Sequence, residues 1–413
     1  MEPFEWRFEF PEVLNDDGDY LGFDVVIGNP PYGVILSKNE FQSLHYIDGS
    51  GISQGFFDSY GLFIILSLRI ILRVKGYLAF IVPNTWRLLE SAESFRKQII
   101  IQNYLYEVNQ FLDRVFPDAV VDCDIISIQK QLISTYDVLI NLFKNNSLIG
   151  THINNTKYLL SRHSINLFLK NSHYSLLNKL ENRSEFVSND FDIKNGIKPY
   201  EVGKGNPPQT KDILDLKPFT SNIMISEDFK PLIGGSSFNR YSILWNNDFY
   251  IKYGEWLAAP RDPKIFEAEE KIIIRQTSDR LICTIIGRDF IIRNNTHVIL
   301  KKKYTDTSLK FLLAILNSKL LDFYYWSMNP EKGEALAEVK AFHIERLIYP
   351  KVDKATENHF IEIVDKIVEI KKFNSSADTS SFENEIDRMV YNLYEMTEEE
   401  ISLVEKVSTN NLY

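Results

Sequence analysis

The segment Phe23-Asp24-Val25-Val26-Ile27-Gly28-Asn29-Pro30-Pro31-Tyr32 decides how this chain folds. Its first six residues form a short, almost continuous apolar run, which is the pattern of a strand buried on both faces of a parallel sheet. Two consecutive prolines cannot continue a central strand, because proline has no backbone N–H to donate to a neighbouring strand. We therefore expect the chain to leave the sheet at its carboxyl edge, directly after Gly28.

The same pattern of a strand followed by a proline exit recurs at Gly76-Tyr77-Leu78-Ala79-Phe80-Ile81-Val82-Pro83-Asn84. Apolar spacing predicts helices over 53–73 and 91–102, and further strands over 105–111 and 125–129. Strands that alternate with helices indicate an α/β sheet, whose ligands bind outside the carboxyl ends of the strands. Both proline exits are therefore expected at the edge of the sheet that holds the functional site.

The charge of the chain is unevenly distributed along its 413 residues. The formal net charge is −10, which argues against a protein that coats nucleic acid. Residues 191–350, however, contain 23 lysines and arginines against 20 aspartates and glutamates, whereas the rest of the chain contains 23 against 36. Any surface that meets DNA is therefore expected in this middle block.

Composition also bounds the class of protein. With 44% hydrophobic residues the chain is long enough for two or three domains with real cores. The two cysteines, Cys123 and Cys283, lie in no CxxC pair, so we expect structural thiols and no metal site. The longest apolar run, 62–71, is too short to span a bilayer and no export signal is recognisable, so a cytoplasmic protein is expected.

Asn29 and Pro30 offer two hydrogen-bond acceptors at one point. An exocyclic amine such as adenine N6 is a poor nucleophile, because its lone pair is delocalised into the ring. The Asn29 side-chain oxygen and the Pro30 carbonyl could accept both amine hydrogens and so localise the lone pair toward an incoming methyl group. Pro31 makes the turn rigid. Tyr32 could stack on a base that has left the duplex, which offsets part of the unstacking cost.

Asn29-Pro30-Pro31-Tyr32 after an apolar strand resembles motif IV of the amino-methyltransferases. Three later stretches resemble motifs V, VI and VIII of the TaqI-type adenine-N6 DNA methyltransferases of restriction-modification systems: Tyr60-Gly61-Leu62-Phe63, Gly76 to Trp86, and Val115-Phe116-Pro117. The resemblance implies S-adenosylmethionine as the cofactor. It also implies that Phe63 walls the cofactor adenine, although an ordinary core position is an equal alternative, and that Phe116 stacks on the flipped adenine opposite Tyr32.

The chain contains a natural comparison for this motif. Asn206-Pro207-Pro208-Gln209 repeats three of its four letters, but it follows no apolar strand and lacks the aromatic residue. We interpret this copy as a loop. Asp24, at the start of the motif IV strand, is interpreted as a structural carboxylate.

Four blocks between Pro231 and Leu321 resemble the TaqI-type C-terminal specificity domain in order and spacing. Asn-Pro-Pro-Tyr alone would also suit a methyltransferase of glutamine amides in protein, and this second domain favours double-stranded DNA as the partner. Several polar and basic side chains there could bind phosphates or base edges, with surface ion pairs as the alternative for each arginine. They are Asn239, Arg240, Arg261, Arg275, Gln276, Thr277 and Arg280.

The resemblance does not extend to the first half of a methyltransferase domain. A glycine-rich loop for the cofactor and an acidic residue for its ribose do not precede residue 23. We expect the motif IV strand to expose an unpaired apolar edge, unless a separate polypeptide carrying the N-terminal half pairs with it. A truncated gene product and a split subunit both fit the sequence.

The predicted fold class is α/β, a partial Rossmann-like class I methyltransferase sheet followed by an α+β target-recognition domain and a helical tail. The expected segments are a catalytic half (1–145), a helical linker (146–190), the target-recognition domain (191–350) and the tail (351–413). The expected activity is transfer of a methyl group from S-adenosylmethionine to a flipped adenine. The alternative is a catalytically inactive DNA-binding specificity fragment or subunit.

Overall fold

A computed structural model describes residues 6–34, 58–116, 121–288, 290–329 and 337–408. The chain divides into two compact units, 1–174 and 175–412, and each is described by itself below. The expected motif VIII proline, Pro117, lies outside the described residues.

The first unit is built on one mixed sheet of six strands. The strands are β1 (Phe23–Gly28), β2 (Leu72–Pro83), β3 (Tyr104–Phe111), β4 (Cys123–Gln129), β5 (Asp137–Lys144) and β6 (Ser147–Asn155). The helices are α1 (Trp6–Glu9), α2 (Ser59–Leu66), α3 (Thr85–Leu88), α4 (Glu93–Gln102), α5 (Thr156–Leu159) and α6 (Asn171–Glu181), of which α6 crosses into the second unit. The strand order across the sheet is β1-β2-β4-β3-β5-β6.

Four strands of this sheet run in the same direction. β1 is parallel to β2, and β3 is parallel to β5, while β4 is antiparallel to both β2 and β3. The carboxyl ends of β1, β2 and β3 therefore lie at one edge of the sheet. The predicted strands at 23–28 and 76–83 and their shared exit edge are confirmed.

One face of the sheet is covered. Leu78, Phe80 and Val82 alternate along β2 and are buried on this face, next to Ile126 of β4. α2 contacts β2, and α4 contacts β3. Burial of such aliphatic and aromatic side chains contributes roughly 1.5–3 kcal/mol each, so this covered face is the main source of stability for the unit.

The opposite face of the sheet is open at its β1 end. Val25 and Ile27 remain 55% and 74% exposed. Parallel pairing places Ile27 beside Ala79 of β2, and in the middle of this face Asn141 donates to Glu107 at 2.8 Å. β1 was predicted to be buried on both faces, and this was wrong. The physical reason is that β1 is the edge strand and that no described element covers its outer face.

The structure changes two other expectations for this unit. The helix expected over 53–73 is shorter, because α2 ends at Leu66 and a π-helical turn, Ser67–Ile71, leads directly into β2. The region 146–190 was expected to be a helical linker, but it begins with β6, which pairs antiparallel with β5. The turn between them, Asn145-Asn146, has both residues in the left-handed region, which asparagine tolerates well.

The second unit combines short strands with long helices. Its strands are β7 (Glu185–Phe186), β8 (Phe191–Asn195), β9 (Thr220–Ser221), β10 (Phe229–Ile233), β11 (Phe238–Asn239), β12 (Ser242–Ile243), β13 (Tyr250–Lys252), β14 (Lys271–Arg275), β15 (Cys283–Ile286), β16 (Ile291–Ile292), β17 (Thr296–Lys301) and β18 (Ile348–Tyr349). Its further helices are α7 (Val187–Asp190), α8 (Lys211–Leu216), α9 (Lys264–Glu267), α10 (Leu309–Leu316), α11 (Lys319–Met328), α12 (Ala341–Glu345), α13 (Lys354–Phe373), α14 (Ser380–Leu393) and α15 (Glu398–Ser408).

Two four-stranded sheets organise this unit, in the orders β16-β10-β13-β9 and β15-β14-β17-β8. Buried residues of both sheets, among them Leu232, Ile251 and Ile273, belong to one hydrophobic cluster. Residues 309–328 form two helices, α10 and α11, because Ser318 caps α11 by accepting from Leu321 N–H. The helical tail is confirmed by α13, α14 and α15.

The hydropathy of the helices, the possible metal ligands and the two cysteines bear on the class of protein. None of the helices in the described ranges is both long and apolar enough to cross a membrane. Groups of three or more His, Cys, Asp or Glu side chains with metal-binding geometry are absent from the same ranges. Cys123 and Cys283 are buried free thiols, and burial raises the pKa of Cys123 to about 11.

Candidate active site and nucleic-acid interface

The Asn-Pro-Pro-Tyr turn leaves two acceptors without a partner. Among the described residues, nothing donates a hydrogen bond to the Asn29 side chain or to the Pro30 carbonyl, and Asn29 is exposed. The next carbonyl along the chain is occupied, because Ser59 Oγ donates to Pro31 O at 2.6 Å. Tyr32, the next residue in the sequence, is half-buried. The turn therefore presents two acceptors for a ligand, while its third carbonyl is used by the fold.

The start of α2 holds this turn in place. Gly33 N–H donates to Asp58 Oδ1 at 3.3 Å, and Ser59 N–H donates to Val34 O at 3.3 Å. Burial raises the pKa of the Asp58 carboxyl, and backbone N–H donors partly oppose the shift. Gly33 has a φ of +75°, a conformation that L side chains adopt only with strain. Hydrogen bonds with Asp58 and Ser59, at the start of α2, therefore hold the turn in place.

α2 also reaches the exit of β2. The Tyr60 hydroxyl is hydrogen-bonded to Thr85 Oγ1 at 2.9 Å, and the Tyr60 ring makes an edge contact with Phe95 of α4. Tyr60 is fully buried, and burial raises the pKa of its phenol. The turns after β1 and after β2 are thus joined through one helix.

A buried ion pair lies under the exit of β2. Arg87 Nε and Trp86 Nε1 donate to Asp124 Oδ2 at 2.8 Å and 2.9 Å. Arg87 and Asp124 are 1% and 0% exposed. Burial raises the pKa of Asp124, and the charge and hydrogen bonds of Arg87 oppose that shift. Both charges are shielded from water, so removal of either one would leave an unpaired buried charge, which is strongly destabilising.

Arg96 of α4 anchors the chain that follows α3. Its Nη1 donates to Trp86 O at 3.1 Å and to Leu89 O at 2.6 Å, and its Nη2 donates to His163 O. Burial lowers the pKa of Arg96 to about 10, against the opposing charge of Glu93. Together with the Arg87–Asp124 pair, Arg96 makes this edge of the sheet rigid.

The aromatic candidates lie on separate elements. Phe116 follows β3, so it exits at the same edge as Asn29, and it is half-buried. The ends of β1 and β3 are three strand spacings apart, roughly 14 Å. Phe63 lies on α2 and is 44% exposed, so it is not the core residue that was the alternative for this position.

The second Asn-Pro-Pro copy is a structural loop, as interpreted. Gln209 is buried, and its Nε2 donates to Pro199 O and to Trp256 O, both at 2.8 Å. Asp24 forms an exposed ion pair with Arg73 of β2, which fits its interpretation as a structural carboxylate.

A cavity of about 260 Å³ in the first unit lies away from the turn. Its lining includes Asn103 and Lys130, which stand where β3 begins and β4 ends, together with Leu68 of the π-helical turn and Gln98 of α4. The strand ends here are at the amino edge of the parallel strands, opposite to the exits of β1 and β2. The cavity is therefore separate from the candidate acceptors, of which Asn29 is exposed and Pro30 is buried.

In the second unit, the Arg240 guanidinium is held by contacts within the fold. Its Nη2 pairs with Asp322 Oδ2 at 2.5 Å, and its Nε donates to Leu281 O at 2.9 Å. Burial lowers the pKa of Arg240, but the charge of Asp322 more than compensates and holds the pKa above its usual range. Arg240 was expected to contact DNA, and the structure gives it a structural partner instead.

Arg275 and Asn239 lie together. Arg275 Nη2 donates to Asn239 Oδ1 at 3.0 Å and to Phe238 O, and the guanidinium lies 5.7 Å from the centre of the Phe238 ring. Burial lowers the pKa of Arg275. No carboxylate in the described ranges pairs with it, so its charge is balanced only by these neutral contacts.

The remaining candidates of this unit differ in their partners. Gln276 Nε2 donates to Glu338 Oε1, and Thr277 is exposed. Arg261 is exposed, and its Nε donates to Gly196 O at 3.2 Å. Arg280 is paired with its neighbour Asp279 at 3.4 Å.

Sequence reasoning did not identify the residues that hold the site. Ser59, Arg87 and Asp124 all lie outside the motifs' reactive positions. One signal was available, since Asp124 stands within an otherwise apolar strand. A carboxylate in such a position normally requires a buried cationic partner.

Two family models match the chain. Residues 1–116 match the Eco57I restriction-modification methylase, and residues 230–347 match the TaqI-like C-terminal specificity domain. The first match contains the whole carboxyl edge from β1 to Phe116. The second contains the Arg275 and Asn239 contact.

Individual relatives agree with these matches. The chain is 26% identical over 412 residues, 95% of its length, to a Methanocaldococcus jannaschii protein named as a type II restriction enzyme and methyltransferase. It is 33% identical over 115 residues, 26% of each protein, to a type II methyltransferase of Thermus thermophilus. The chain spans only 32% of the length of the first relative.

The solved structure of the type IIL restriction-modification enzyme MmeI in complex with DNA has the same fold over most of this chain. The TM-score is 0.58 with 13% sequence identity, and the match covers 92% of this chain and 55% of the other. At this identity the likeness concerns the fold alone.

Proposed function

Because the chain joins a segment of the Eco57I restriction-modification methylase type to a TaqI-like specificity domain, we propose that it methylates adenine N6 at a specific site in duplex DNA. The observation that carries this proposal is the pair of unoccupied acceptors at the end of β1. Asn29 Oδ1 and Pro30 O have no donor within the described residues, whereas Pro31 O is taken by Ser59.

The two acceptors do the chemical work of this chain. Each accepts one N6 hydrogen of the adenine, so that the lone pair of the nitrogen is turned out of conjugation and toward the reacting methyl group. No general base has to remove a proton before attack. As the nitrogen–carbon bond forms, the carbon–sulfur bond of the sulfonium donor breaks, a neutral thioether leaves, and the surplus N6 proton passes to water. Asp58 and Ser59 keep the turn in position, which matters because an amine displaced by about 1 Å loses most of the benefit of orientation.

Aromatic side chains hold the base outside the duplex. Tyr32 offers one ring face directly after the acceptors, and Phe116 reaches the same edge from β3. Stacking on such rings offsets part of the few kcal/mol that extrusion of a base costs. Both loops must lean toward each other to enclose a purine, since the strand ends are roughly 14 Å apart.

The methyl group is supplied by S-adenosylmethionine when this cofactor is bound. Of this chain, the exposed ring of Phe63 suits contact with the cofactor adenine. The described residues provide no glycine-rich loop beneath the methionine part and no carboxylate for the ribose, so they do not form a complete cofactor site. We propose that an N-terminal methyltransferase half provides these groups.

The β1 edge is where such a half would attach. β1 pairs only with β2 among the described strands, and its second edge is free to pair with another parallel strand. The exposed side chains of Val25 and Ile27 adjoin that edge, so an added strand and helix would bury them. A separate polypeptide and a preceding part of a longer chain are equally compatible with this geometry.

Replacing Ile27 by Lys tests this attachment surface. Since the Ile27 side chain is 74% exposed, the free energy of unfolding of the chain should change by no more than about 0.5 kcal/mol. An open apolar strand edge also favours pairing between copies of the chain, so both self-association and co-purification with a co-expressed N-terminal half should be lost. Both are measured by size-exclusion chromatography with light scattering.

The matched control for this surface is Ile153→Lys on β6, whose side chain is 52% exposed at the opposite end of the sheet. It should leave both properties unchanged. Equal behaviour of the two variants would contradict the assignment of the β1 edge.

The reaction itself is tested with labelled S-adenosylmethionine and a library of random duplexes, with and without the co-expressed N-terminal half. Digestion of the DNA to nucleosides and mass spectrometry should identify N6-methyl-2′-deoxyadenosine. N4-methyl-2′-deoxycytidine, or label on protein glutamine, would overturn the proposed substrate. Sequence-selective DNA binding with no transfer by the assembled complex would favour the catalytically inactive specificity fragment.

A further inference from the structure

Four arginines of the second unit, Arg261, Arg275, Arg293 and Arg388, form no ion pair within the described ranges. Arg388 lies on α14, whereas the other three lie in the segment that contains the two four-stranded sheets. By contrast, Arg240, Arg280 and Arg288 are paired with Asp322, Asp279 and Glu269. In a chain with 56 acidic and 46 basic residues, arginines without an acidic neighbour indicate a place where an external anion can bind.

Gly196 contacts two of these arginines, Arg261 and Arg293. Arg261 Nε donates to Gly196 O at 3.2 Å. A Cβ added at Gly196 would lie 2.3 Å from Arg293 O, so only glycine allows the two backbones to pack this closely. Arg261 and Arg293 are therefore held next to the same backbone segment, and both are exposed.

Two further glycines, Gly234 and Gly235, pack against Arg293 and Arg275. An added Cβ at Gly235 would lie 3.3 Å from Arg275 Cγ, and one at Gly234 would lie 3.7 Å from Arg293 Cδ. The aliphatic parts of the two arginines thus lie along adjacent residues of one turn. Arg261, Arg275 and Arg293, here called the arginine cluster, form a continuous group.

The backbone under the arginine cluster is rigid. Arg293 N–H donates to Ile233 O and Asn294 N–H donates to Ile197 O, both at 2.8 Å. Asn295 Oδ1 accepts from Gly235 N–H at 3.2 Å. The arginines consequently extend from a fixed surface, which lowers the entropy cost of binding a ligand there.

Arg275 differs from the other two members. Its guanidinium is half-buried and is held by Asn239 Oδ1 and Phe238 O, while its Nε is buried without a hydrogen-bond partner. A guanidinium with a restrained plane suits bidentate contact with the O6 and N7 atoms of guanine. Exposed, mobile guanidinium groups suit phosphates, which carry no sequence information.

We propose that the arginine cluster is the DNA-contact surface of the second unit, in which Arg261 and Arg293 bind backbone phosphates and Arg275 determines specificity by binding a guanine. This inference rests on the proposed function and names the residues and base through which it is exercised. It adds Arg293 to the DNA-contact residues and assigns different roles to the three arginines.

The phosphate contacts are tested by the salt dependence of binding. Fluorescence anisotropy of the full chain with a random-sequence duplex gives the slope of log K against log salt. Arg261→Gln and Arg293→Gln should each reduce the magnitude of this slope by about 0.9, the value for one phosphate contact. Arg288→Gln removes the same charge from a paired arginine and should leave the slope unchanged.

The guanine contact is tested by selection from a random duplex library, followed by sequencing of the bound DNA. Wild-type protein should enrich sites that contain a guanine at one fixed position. In Arg275→Lys, the preference for guanine at that position should fall about ten-fold or more. Because lysine keeps the charge, binding to random duplex should remain nearly the same. Asn239→Ala, an exposed substitution that releases the Arg275 plane, should weaken the same base preference.

The outcomes separate the two levels of the proposal. Absence of duplex binding by the wild-type chain would overturn the proposed function and the cluster together. Normal wild-type binding, with all the variants of the arginine cluster behaving like Arg288→Gln, would overturn only the cluster. Unchanged thermal unfolding of Arg293→Gln, whose side chain is exposed, ensures that a loss of slope reports binding.

Discussion

Asn29→Ala should reduce methyl transfer by at least about 10²–10³-fold in a complex that supplies the N-terminal half, which is the usual cost of removing one oriented polar group from a reacting centre. The variant removes one of the two acceptors, so the amine keeps its conjugation. DNA binding should stay within about twofold, because none of the described residues forms a hydrogen bond with the Asn29 side chain. Single-turnover methylation and anisotropy on the same preparation measure the two effects.

The chain provides a matched control for Asn29. Asn206→Ala changes the same residue in the second Asn-Pro-Pro copy, where its side chain makes only a long contact, 3.5 Å, with Glu255. This control should methylate at the wild-type rate. Retained methylation by Asn29→Ala, or equal losses in both variants, would refute the site.

Asp124→Ala should lower the free energy of unfolding by about 3–5 kcal/mol, because it leaves the buried Arg87 guanidinium without its counter-charge. Trp86 Nε1 would lose its acceptor as well. A loss of this size is a large fraction of the stability of a typical domain. Urea denaturation followed by tryptophan fluorescence and by circular dichroism measures it.

Two controls show whether burial is the cause. Arg73→Ala breaks the exposed pair with Asp24 and should cost no more than about 1 kcal/mol. The double variant Arg87→Met with Asp124→Leu replaces the buried charges by apolar groups and should recover most of the stability lost in Asp124→Ala. If Asp124→Ala were no worse than Arg73→Ala, the pair would not be a buried element of the fold.

The strands near the site were predictable because their signals are local. Apolar runs that end in proline indicate a strand and where it ends, as for β1 and β2, and β3 and β4 lie where apolar spacing predicts them. β6 was not predictable, since five of its nine residues are exposed, Leu148, Ile149 and Ile153 among them, and its apolar residues do not alternate with polar ones. Its partner β5 supplies the hydrogen bonds that make it a strand, and that information is not local.

The proposed reactive positions could be named from the sequence, whereas the residues that hold the turn in place could not. Asn29 and Pro30 are recognisable because few residue types combine two acceptors with a fixed backbone. Ser59, which occupies the third carbonyl, is distant in sequence from the turn. Likewise, the pairing of Arg240 with Asp322 joins residues 82 positions apart, so a DNA-contact role and a structural role look identical in the sequence.

By itself, the amino-acid sequence determined that β1 exists, that it ends at Gly28, and that an asparagine and two prolines follow it. Only the tertiary structure decided that β1 is an edge strand with Val25 and Ile27 exposed, and which arginines remain unpaired. The reason is physical. A strand and its exit depend on backbone geometry within a few residues, whereas burial and charge pairing depend on which distant segments pack against it.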